Sequence, residues 1–410
     1  MRRVPVVVLL LLGVAICVGL DFGYDAAIAT DLATSDPIGW KFWLSILVIT
    51  SINVLGATSL NVVNGMAGQF SIGHAGFVGL GAYLGGAVAA YMALWLKIPL
   101  ADISGNLSLT QSLMIVPPVL LVVAIVSAGV GFVVGLPSLR LKGDYLAIVT
   151  LGFAEILRLT ILGTNADEAR NPVTRAIGSL GGALGYRGPQ VGNDYIGVPT
   201  VAGPFWTVGV AALALFLAFR LKRSGFGRAL RAVREDEIAA SAVGVDPARY
   251  KVTAFVIAAV GAGIAGALLA IRRDGSGIVG PANMKFDKSF EVITMVILGG
   301  SGSVSGAAIG AVLYTIVFYL SEEGLQYLAR NDVSFFAHVD AAALRMALFA
   351  GALIVVMLLR PEGILGEREL SDLWKKKKMP PRAKKGPPPS SPMPSASQGK
   401  EPDAQGALEA

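Results

Sequence analysis

Polar side chains that could hold a small solute are concentrated in the apolar stretch between residues 41 and 96. Buried amides and hydroxyls are costly in hydrocarbon unless another group satisfies them, so this cluster indicates either a solute path or polar contacts between packed helices. Both interpretations stay open, and a lone histidine here is more typical of a structural residue. The residues assigned to a solute path are Asn53, Asn64, Gln69, Ser71 and His74.

Glycines recur in the same stretch, six of them between residues 65 and 81. They allow a helix to break and neighbouring helices to approach closely, as in the discontinuous helices of transporters. Ser71 is placed to cap a helix that starts near Ile72. Because the first amides of a helix have no partner within it, such a start favours an anionic group.

A carboxylate, Glu155, lies within the apolar run 145–162. An ionisable residue inside a membrane is by default a candidate for function. Arg158 follows at i+3 on the same helix face, so the two charges can instead neutralise each other. The sequence therefore supports two interpretations of Glu155, as a path residue and as half of a structural ion pair.

The glycine-rich segment 299–306 separates two apolar halves of the region 289–320. It is not a phosphate-binding loop, because it lacks the Gly-Lys-Ser/Thr ending and no strand precedes it. Thr294 and Ser303 are assigned to the same solute path as the polar residues above. The sequence has no nucleotide-binding motif, and its single cysteine and two distant histidines do not suggest a metal cluster. We therefore predict no catalytic residues, no cofactor and no metal, so that ATP-driven work would need a separate ATPase chain.

The longest polar interruption of the chain, 220–251, is rich in lysine and arginine. A loop of this kind between membrane spans is retained on the cytoplasmic side. Three apolar residues at i, i+4 and i+7 form one face of a helix, an arginine stripe lies beside them, and a later glycine is placed to end the helical run. We predict a helix–turn–helix that contacts a partner, although a solvated basic loop would have the same composition. These residues are Phe226, Leu230 and Val233, then Arg228 and Arg231, then Gly244.

The composition indicates a membrane protein, since 54% of the 410 residues are hydrophobic and 15% are charged. Soluble domains carry about 25% charged residues, and several apolar runs here reach the roughly 20 residues that a helix needs to cross a bilayer. The predicted fold class is an all-α polytopic membrane protein with about ten transmembrane helices, some of them discontinuous. The predicted spans are 4–20, 41–63, a third ending near 96, 113–136, 145–162, 201–219, 252–271, two within 289–320, and 341–359.

Two parts of this topology have alternatives. Residues 4–20 could be a signal peptide, but no clear small-residue cleavage site follows, so a retained span is predicted. The region 289–320 makes either two crossings joined by a tight glycine turn or one re-entrant pair. Two crossings place the lysine run 375–378 and both termini in the cytoplasm, and are favoured for that reason.

The chain is predicted to divide into a transmembrane domain, 1–370, and a tail, 371–410. The tail is rich in proline, serine and lysine and cannot pack a core, so we predict that it is disordered and cytoplasmic. Its lysines suit contact with anionic membrane lipid, worth about 1 kcal/mol each near the surface. The net charge of +6 resides largely in loops and tail, so no nucleic-acid partner is expected.

Four segments, taken in order, resemble the permease subunits of bacterial branched-chain amino acid ABC importers, of the LivM type. They are spread over most of residues 40–365, and their order and spacing are more specific than any one of them. The segments are GQFSIGHAGFVGLGAY (68–83), GDYLAIVTLGFAEILR (143–158), GFGRALRAVREDEIAA (225–240) with Gly244, and VILGGSGSVSGA (296–307).

The resemblance implies an ABC importer permease of the type II-like class, located in the bacterial inner membrane and working by alternating access. It also implies three kinds of partner: two ABC ATPase subunits, a homologous second permease subunit, and a periplasmic substrate-binding protein. The loop 220–251 looks like the cytoplasmic coupling loop that docks into the ATPase, although Ile238 interrupts the Glu-Ala-Ala…Gly signature and the glycine lies one residue further on. The residues assigned to ATPase coupling are Phe226, Arg228, Leu230, Arg231, Val233, Glu237, Ala239, Ala240 and Gly244.

The function implied is uptake of branched-chain or related amino acids. A permease of the same fold for urea or short-chain amides is the first alternative, because residues 175–183 depart from the Thr-Gly-Gly-rich stretch that relatives tend to show. The proline- and lysine-rich tail is a second departure. An ion-coupled secondary transporter that uses Glu155 and His74 is the remaining alternative.

Overall fold

The computed structural model describes residues 15–23, 40–98, 109–138, 145–164, 180–191, 194–275, 278–330, 350–351, 354, 358 and 362–370. The α-helices of this part with defined bounds are α1 (Trp40–Asn61), α2 (His74–Trp95), α3 (Leu109–Ser138), α4 (Tyr145–Leu162), α5 (Pro204–Arg223), α6 (Gly225–Glu235), α7 (Glu237–Ala242), α8 (Pro247–Ile271), α9 (Phe286–Gly299) and α10 (Val304–Arg330). Residues 15–23 are also helical.

Seven helices of the described part are long and apolar enough to cross a membrane. This confirms the predicted polytopic, helical class, with the count of about ten as an approximation. Most of the predicted first span, 4–20, and of the last, 341–359, lies outside the described residues. The seven are Phe42–Met66, His74–Trp95, Leu109–Leu136, Tyr145–Leu162, Pro204–Arg223, Pro247–Ile271 and Val304–Ser321.

The region 289–320 forms two helices joined by a tight turn. α9 has 14 residues and ends at Gly299, and α10 begins at Val304. At 1.5 Å per residue α9 is about 21 Å long, shorter than the hydrocarbon core of about 30 Å. The helical turn Pro281–Met284 precedes it, and Met284 is fully buried. The first half of this region therefore spans only part of the membrane thickness as a helix.

The predicted break after the first described span is present. α1 continues into a π-helical turn, Val62–Met66, and the chain is then irregular until α2 begins at His74. Gly68 adopts a positive φ of 68°, a conformation that favours glycine. A wider helical turn often occurs at functional positions, so this break is the first element to consider for the site.

The centre of the bundle is the contact between α8 and its neighbours α2, α3 and α1. Glycines permit this packing: an ideal Cβ at Gly266 of α8 would lie 1.8 Å from the Val78 carbonyl oxygen of α2. Close backbone approach of this kind is how membrane helices gain van der Waals contact without a hydrophobic driving force. The break in α1 and the start of α2 are thereby held against a rigid central helix.

Near the C-terminal end of α8, segments of the connecting loops pair with one another. Tyr186 forms an antiparallel bridge with Val279, and Ala202 forms a parallel bridge with Arg272. A two-stranded hairpin, β1 (Gln190–Val191) and β2 (Asp194–Tyr195), lies in the same loop. All of these elements belong to one unit, Met1–Leu370. The disorder predicted for 371–410 falls outside the described residues.

Candidate functional site

The start of α2 is capped by side chains from other helices. The hydroxyl oxygen of Thr150, on α4, accepts hydrogen bonds from the backbone amides of Ile72 at 3.3 Å and Gly73 at 3.2 Å. The amide of Ala75 donates to the Ser289 hydroxyl of α9 at 2.9 Å. The prediction that Ser71 caps this helix is therefore wrong, because tertiary packing supplies Thr150 instead. The amides of Ile72, Gly73 and Ala75, which were expected to attract an anion, therefore have partners within the protein.

The polar residues around the break form contacts between segments of the chain. Asn64 accepts a hydrogen bond from the Ser71 amide at 3.2 Å, and the Ser71 hydroxyl donates to that of Thr150 at 3.4 Å. His74 is buried, with its Nε2 3.1 Å from the Ser59 hydroxyl. These bonds hold the non-helical connection against α1 and α4. They agree with the helix-contact interpretation, and a role in the solute path stays a prediction.

The remaining predicted path residues are dispersed. Asn53 donates from its amide to the Thr315 hydroxyl at 2.9 Å, which joins α1 to α10. Gln69 is buried, and its side-chain oxygen has no hydrogen-bond partner within the described residues. Thr294 lies half-buried on α9. Asn64, Gln69, Ser71 and His74 therefore all lie in or beside the break, whereas Asn53 and Thr294 lie elsewhere, on α1 and α9.

Glu155 forms the ion pair that the sequence left open. The Arg158 guanidinium donates to both carboxylate oxygens of Glu155, through Nε at 2.9 Å and through Nη2. The Glu155 side chain is 41% exposed, and Ile156 and Leu159 beside it are more exposed still. The pair therefore lies on the outer face of α4 rather than among the packed helices.

A second polar cluster joins the broken end of α1 to the turn between α9 and α10. The buried side chain of Asn61 accepts from the Gly302 amide at 2.9 Å and donates to the Ser303 carbonyl at 3.1 Å. Ser303 caps α10, since its hydroxyl accepts from the Gly306 amide at 3.0 Å. Gly65 permits the approach, because a Cβ there would lie 2.4 Å from the Gly302 nitrogen. In this structure Ser303 is a helix-capping residue.

The loop 220–251 folds as the predicted helix–turn–helix. Asp236 caps α7 by accepting from the amides of Ile238 at 2.8 Å and Ala239 at 3.0 Å. Gly244 has a positive φ of 85° just after α7, as expected of a glycine at a helix end. Asp246 then caps α8, which starts with a proline. Local sequence signals therefore specify this loop well.

The residues assigned to ATPase coupling divide into an inward and an outward set. Leu230 is fully buried in a cluster with Met66 and Val304, and Phe226 stacks on Tyr250 in the same region. These side chains attach the loop to the transmembrane domain, and Val233 and Ala240 are also buried. The exposed members of the assigned set are Arg228, Arg231, Glu237, Ala239 and Gly244.

Two exposed apolar residues of the loop were missed by the sequence analysis. Ile238 is 83% exposed and Val243 is 77% exposed, at either end of α7. The sequence feature that could have identified them is an apolar residue among polar neighbours that does not belong to the apolar stripe of Leu230 and Val233. The stripe indicated a buried face of α6, whereas an isolated apolar residue on a short helix indicates no partner by itself. Together with Ala239 and Ala242 they give α7 an apolar outer surface.

Within the described residues, no group of three histidine, cysteine or carboxylate side chains is close enough to bind a metal ion. The end of the bundle that carries the loop 220–251, called the inner end below, instead has ion pairs between its described elements. Glu237 pairs with Lys251 across the base of the loop. Arg234 of α6 pairs with Glu367 at 2.8 Å, and Lys222 of α5 pairs with Glu369.

Comparison with known proteins places this architecture in a family. Residues 42–358 match the model of the branched-chain amino acid transport system / permease component family. The chain is 33% identical over 348 residues to the high-affinity branched-chain amino acid transport system permease protein LivM of Salmonella typhimurium, covering 80% of this chain and 72% of the relative. It is 28% identical over 359 residues to the probable LivM permease of Methanocaldococcus jannaschii, covering 82% and 95%. A shorter match, 33% over 178 residues, covers 43% of the chain and 51% of the LivH permease of Escherichia coli. No solved structure matches.

Proposed function

The chain belongs to the family of branched-chain amino acid transport permease components, and we propose that it is a membrane-spanning permease subunit of an ATP-driven importer. The solute proposed is a branched-chain or related amino acid, because the relatives carry that description. The importer proposal rests on the folded loop 220–251. This loop is rich in lysine and arginine and presents the exposed, partly apolar helix α7. A loop that served only to orient the spans would not need such a surface.

The proposed docking surface for an ATPase subunit is the exposed side of α7. Exposed apolar residues surrounded by polar ones are typical of protein contact sites, and here Ile238 and Val243 flank the helix. The charged residues around them, Arg228, Arg231 and Glu237, form a polar rim. Leu230 and Phe226 hold α6 against the transmembrane domain, so force applied to α7 would reach the bundle through packed side chains.

Co-purification from the native membrane tests this docking. We expect Ile238→Asp to reduce recovery of the two ATPase subunits at least about tenfold, as for a residue central to an interface. Leu184→Asp is the matched control, since Leu184 is also an exposed apolar residue and lies near Tyr186, at the opposite end of α8. Equal recovery of ATPase with Ile238→Asp and with the unaltered protein would contradict the proposal.

The outer face of α4 is the proposed contact with a second, homologous permease subunit. An exposed ion pair is expensive on a lipid-facing surface, so intramembrane charges usually face protein or water. Glu155 and Arg158 lie on this face among exposed apolar residues. A second permease covering it would shelter the pair and place it beside a path formed between the two chains.

Disulfide cross-linking tests that contact. After Cys17→Ser, a cysteine at Leu159 on α4 is expected to cross-link to a cysteine-bearing second permease in the native complex. A cysteine at Leu213, exposed on α5, serves as the control. Cross-linking through Leu213 but not through Leu159 would show that another face meets the second subunit.

The proposed location is the bacterial inner membrane with both termini and the loop 220–251 in the cytoplasm, and a periplasmic binding protein on the other side. The lysine and arginine residues of the loop 220–251 support this orientation. A membrane-impermeant thiol reagent tests it: Ser241→Cys, exposed on α7, should react in inside-out vesicles and not in intact cells. The lysine-rich tail is proposed to rest on anionic lipid of the same side.

Uptake by the reconstituted complex distinguishes the candidate solutes and energy sources. We expect accumulation of labelled leucine that requires ATP and is unaffected by excess urea or acetamide. Ion-gradient-driven uptake without ATPase subunits would instead support the secondary-transporter alternative. The contacts of Glu155 with Arg158 and of His74 with Ser59 support a structural role over ion coupling.

A further inference from the structure

The C-terminal end of the described chain returns to the turn between α9 and α10. The amides of Ile364 and Leu365 donate to the carbonyl oxygens of Leu298 and Gly299, at 3.0 and 3.1 Å. These carbonyls belong to the last turn of α9, where a helix has no acceptor partners of its own. Gly363, with φ 77°, allows its backbone to approach Gly300 closely. Residues 363–369 thus complete the end of α9.

Glu369 completes the start of α10 in the same way. Its carboxylate is 5% exposed and accepts from the amides of Val304 at 3.0 Å and Ser305 at 2.9 Å. A negative charge at a helix start is favoured by the helix dipole. The same carboxylate pairs with Lys222, in the last turn of α5. One side chain therefore joins the inner ends of two membrane helices.

Arg234 connects this segment to the coupling loop. It projects from α6, donates to the Gly65 carbonyl of the broken end of α1 at 2.8 Å, and pairs with Glu367 at 2.8 Å. Its side chain also packs against Gly68, where a Cβ would lie 2.6 Å from Cγ of the arginine. A single guanidinium thus touches the loop's own helix, the helix break and the returning segment.

We infer that residues 363–369 form a coupling clasp, which makes the loop 220–251 and the inner ends of α1, α5, α9 and α10 move together. The inference rests on the proposed docking of this loop to an ATPase. Without the clasp, displacement of α6 would still reach α1 through Arg234, and the start of α10 through the packing of Leu230 on Val304. The turn before α10 would lose only its charged connection to the loop, which runs through Glu367 and Glu369. The clasp would therefore be needed to convert ATPase movement into transport, and not for ATPase binding.

Its contacts separate the clasp from the docking surface. Glu367 and Glu369 contact Arg234, Lys222 and the start of α10, and the exposed residues of α7 are not among their partners in the described part of the chain. Glu362, immediately before the clasp, is exposed and has no hydrogen bond or ion pair with the described residues. Glu362→Gln is consequently the matched control for Glu367→Gln and Glu369→Gln, with the same chemical change in the same stretch.

The test compares these three variants as complexes purified from the native membrane and reconstituted in vesicles. The unaltered protein first shows whether ATPase subunits co-purify, which tests the docking proposal alone. We expect both clasp variants to retain the ATPase subunits and ATP hydrolysis but to accumulate roughly tenfold less labelled leucine per ATP, because a charge-assisted contact is lost in each. Glu362→Gln should match the unaltered protein.

Hydrogen exchange of the same variants gives a readout that does not depend on ATPase binding. Loss of the clasp should increase exchange in two distant stretches, the helix break 62–68 and α6, as well as in the clasp itself. Exchange changes confined to 362–370, unaltered leucine per ATP in both clasp variants, or loss of the ATPase subunits would each overturn the inference. Glu367→Gln keeps the test usable if Glu369→Gln fails to fold, since the Glu367 side chain is 67% exposed.

Discussion

Thr150 is expected to be a major stabilising residue of the transmembrane domain, although the sequence analysis assigned it neither to the solute path nor to ATPase coupling. Its hydroxyl oxygen accepts from the amides of Ile72 and Gly73 at 3.3 and 3.2 Å, and from the Ser71 hydroxyl at 3.4 Å. Thr150→Val keeps the shape of the side chain and removes the partner of the buried Gly73 amide and of the part-buried Ile72 amide. At about 1–3 kcal/mol for each unsatisfied amide, the expected loss in the free energy of unfolding is about 2–6 kcal/mol.

Titration of the detergent-solubilised protein with sodium dodecyl sulfate, followed by tryptophan fluorescence, measures this loss. Thr160→Val on the same helix is the matched control, because the exposed hydroxyl of Thr160 donates only to the Ile156 carbonyl of its own helix, at 2.7 Å. The control should change the unfolding free energy by less than about 0.5 kcal/mol. Thr150→Ser, which keeps the hydroxyl, should recover all but about 1 kcal/mol. If Thr150→Val is no more destabilising than Thr160→Val, the capping argument is refuted.

Two further predictions concern the inner end of the bundle. Gly65→Ala should destabilise the protein by about 1–3 kcal/mol or more, since its Cβ would lie 2.0 Å from a side-chain oxygen, whereas Gly56→Ala on the same helix has no atom within 4 Å and should be tolerated in the same assay. Burial raises the pKa of Glu369, but hydrogen bonds from Lys222 and Ser305 outweigh it and hold the pKa below its ordinary 4.5. The stability that Glu369 contributes should be complete above about pH 4.5 and lost as the pH falls through the lowered value, and Glu369→Gln should flatten the unfolding curve measured against pH in that acid range.

Features specified by a few neighbouring residues could be predicted from the sequence. The span predicted at 145–162 coincides with α4, and Gly244 and Asp246 mark the end of α7 and the start of α8. Caps, glycine turns and apolar periodicity act within one or two helical turns, so a single sequence contains them. The break after α1 was predictable for the same reason, from closely spaced glycines.

Contacts between distant segments could not be predicted in the same way. The apolar stripe that includes Leu230 predicts a buried face of α6, but periodicity does not identify its partner, which proves to be the transmembrane domain itself. Ser71 is a good N-cap candidate by position, yet Thr150, 79 residues away, occupies that role. Glu369 appears in the sequence as one charge near a lysine-rich tail, and only tertiary packing brings it to the start of α10. Such choices depend on which helices meet, which local propensity does not encode.

The capping of these helix starts bears on where the solute is held. A free helix start inside the membrane can bind a carboxylate through its amides. The starts of α2 and α10 do not offer this, because Thr150 and Glu369 already accept from their amides. The described hydrogen bonds of Asn64, Ser71 and His74 join the break to α1 and α4 instead. A carboxylate at these two starts would have to be held by side-chain donors. Arg158 is such a donor: it pairs with Glu155 on the outer face of α4, the side proposed to meet the second permease, and its side chain is 21% exposed.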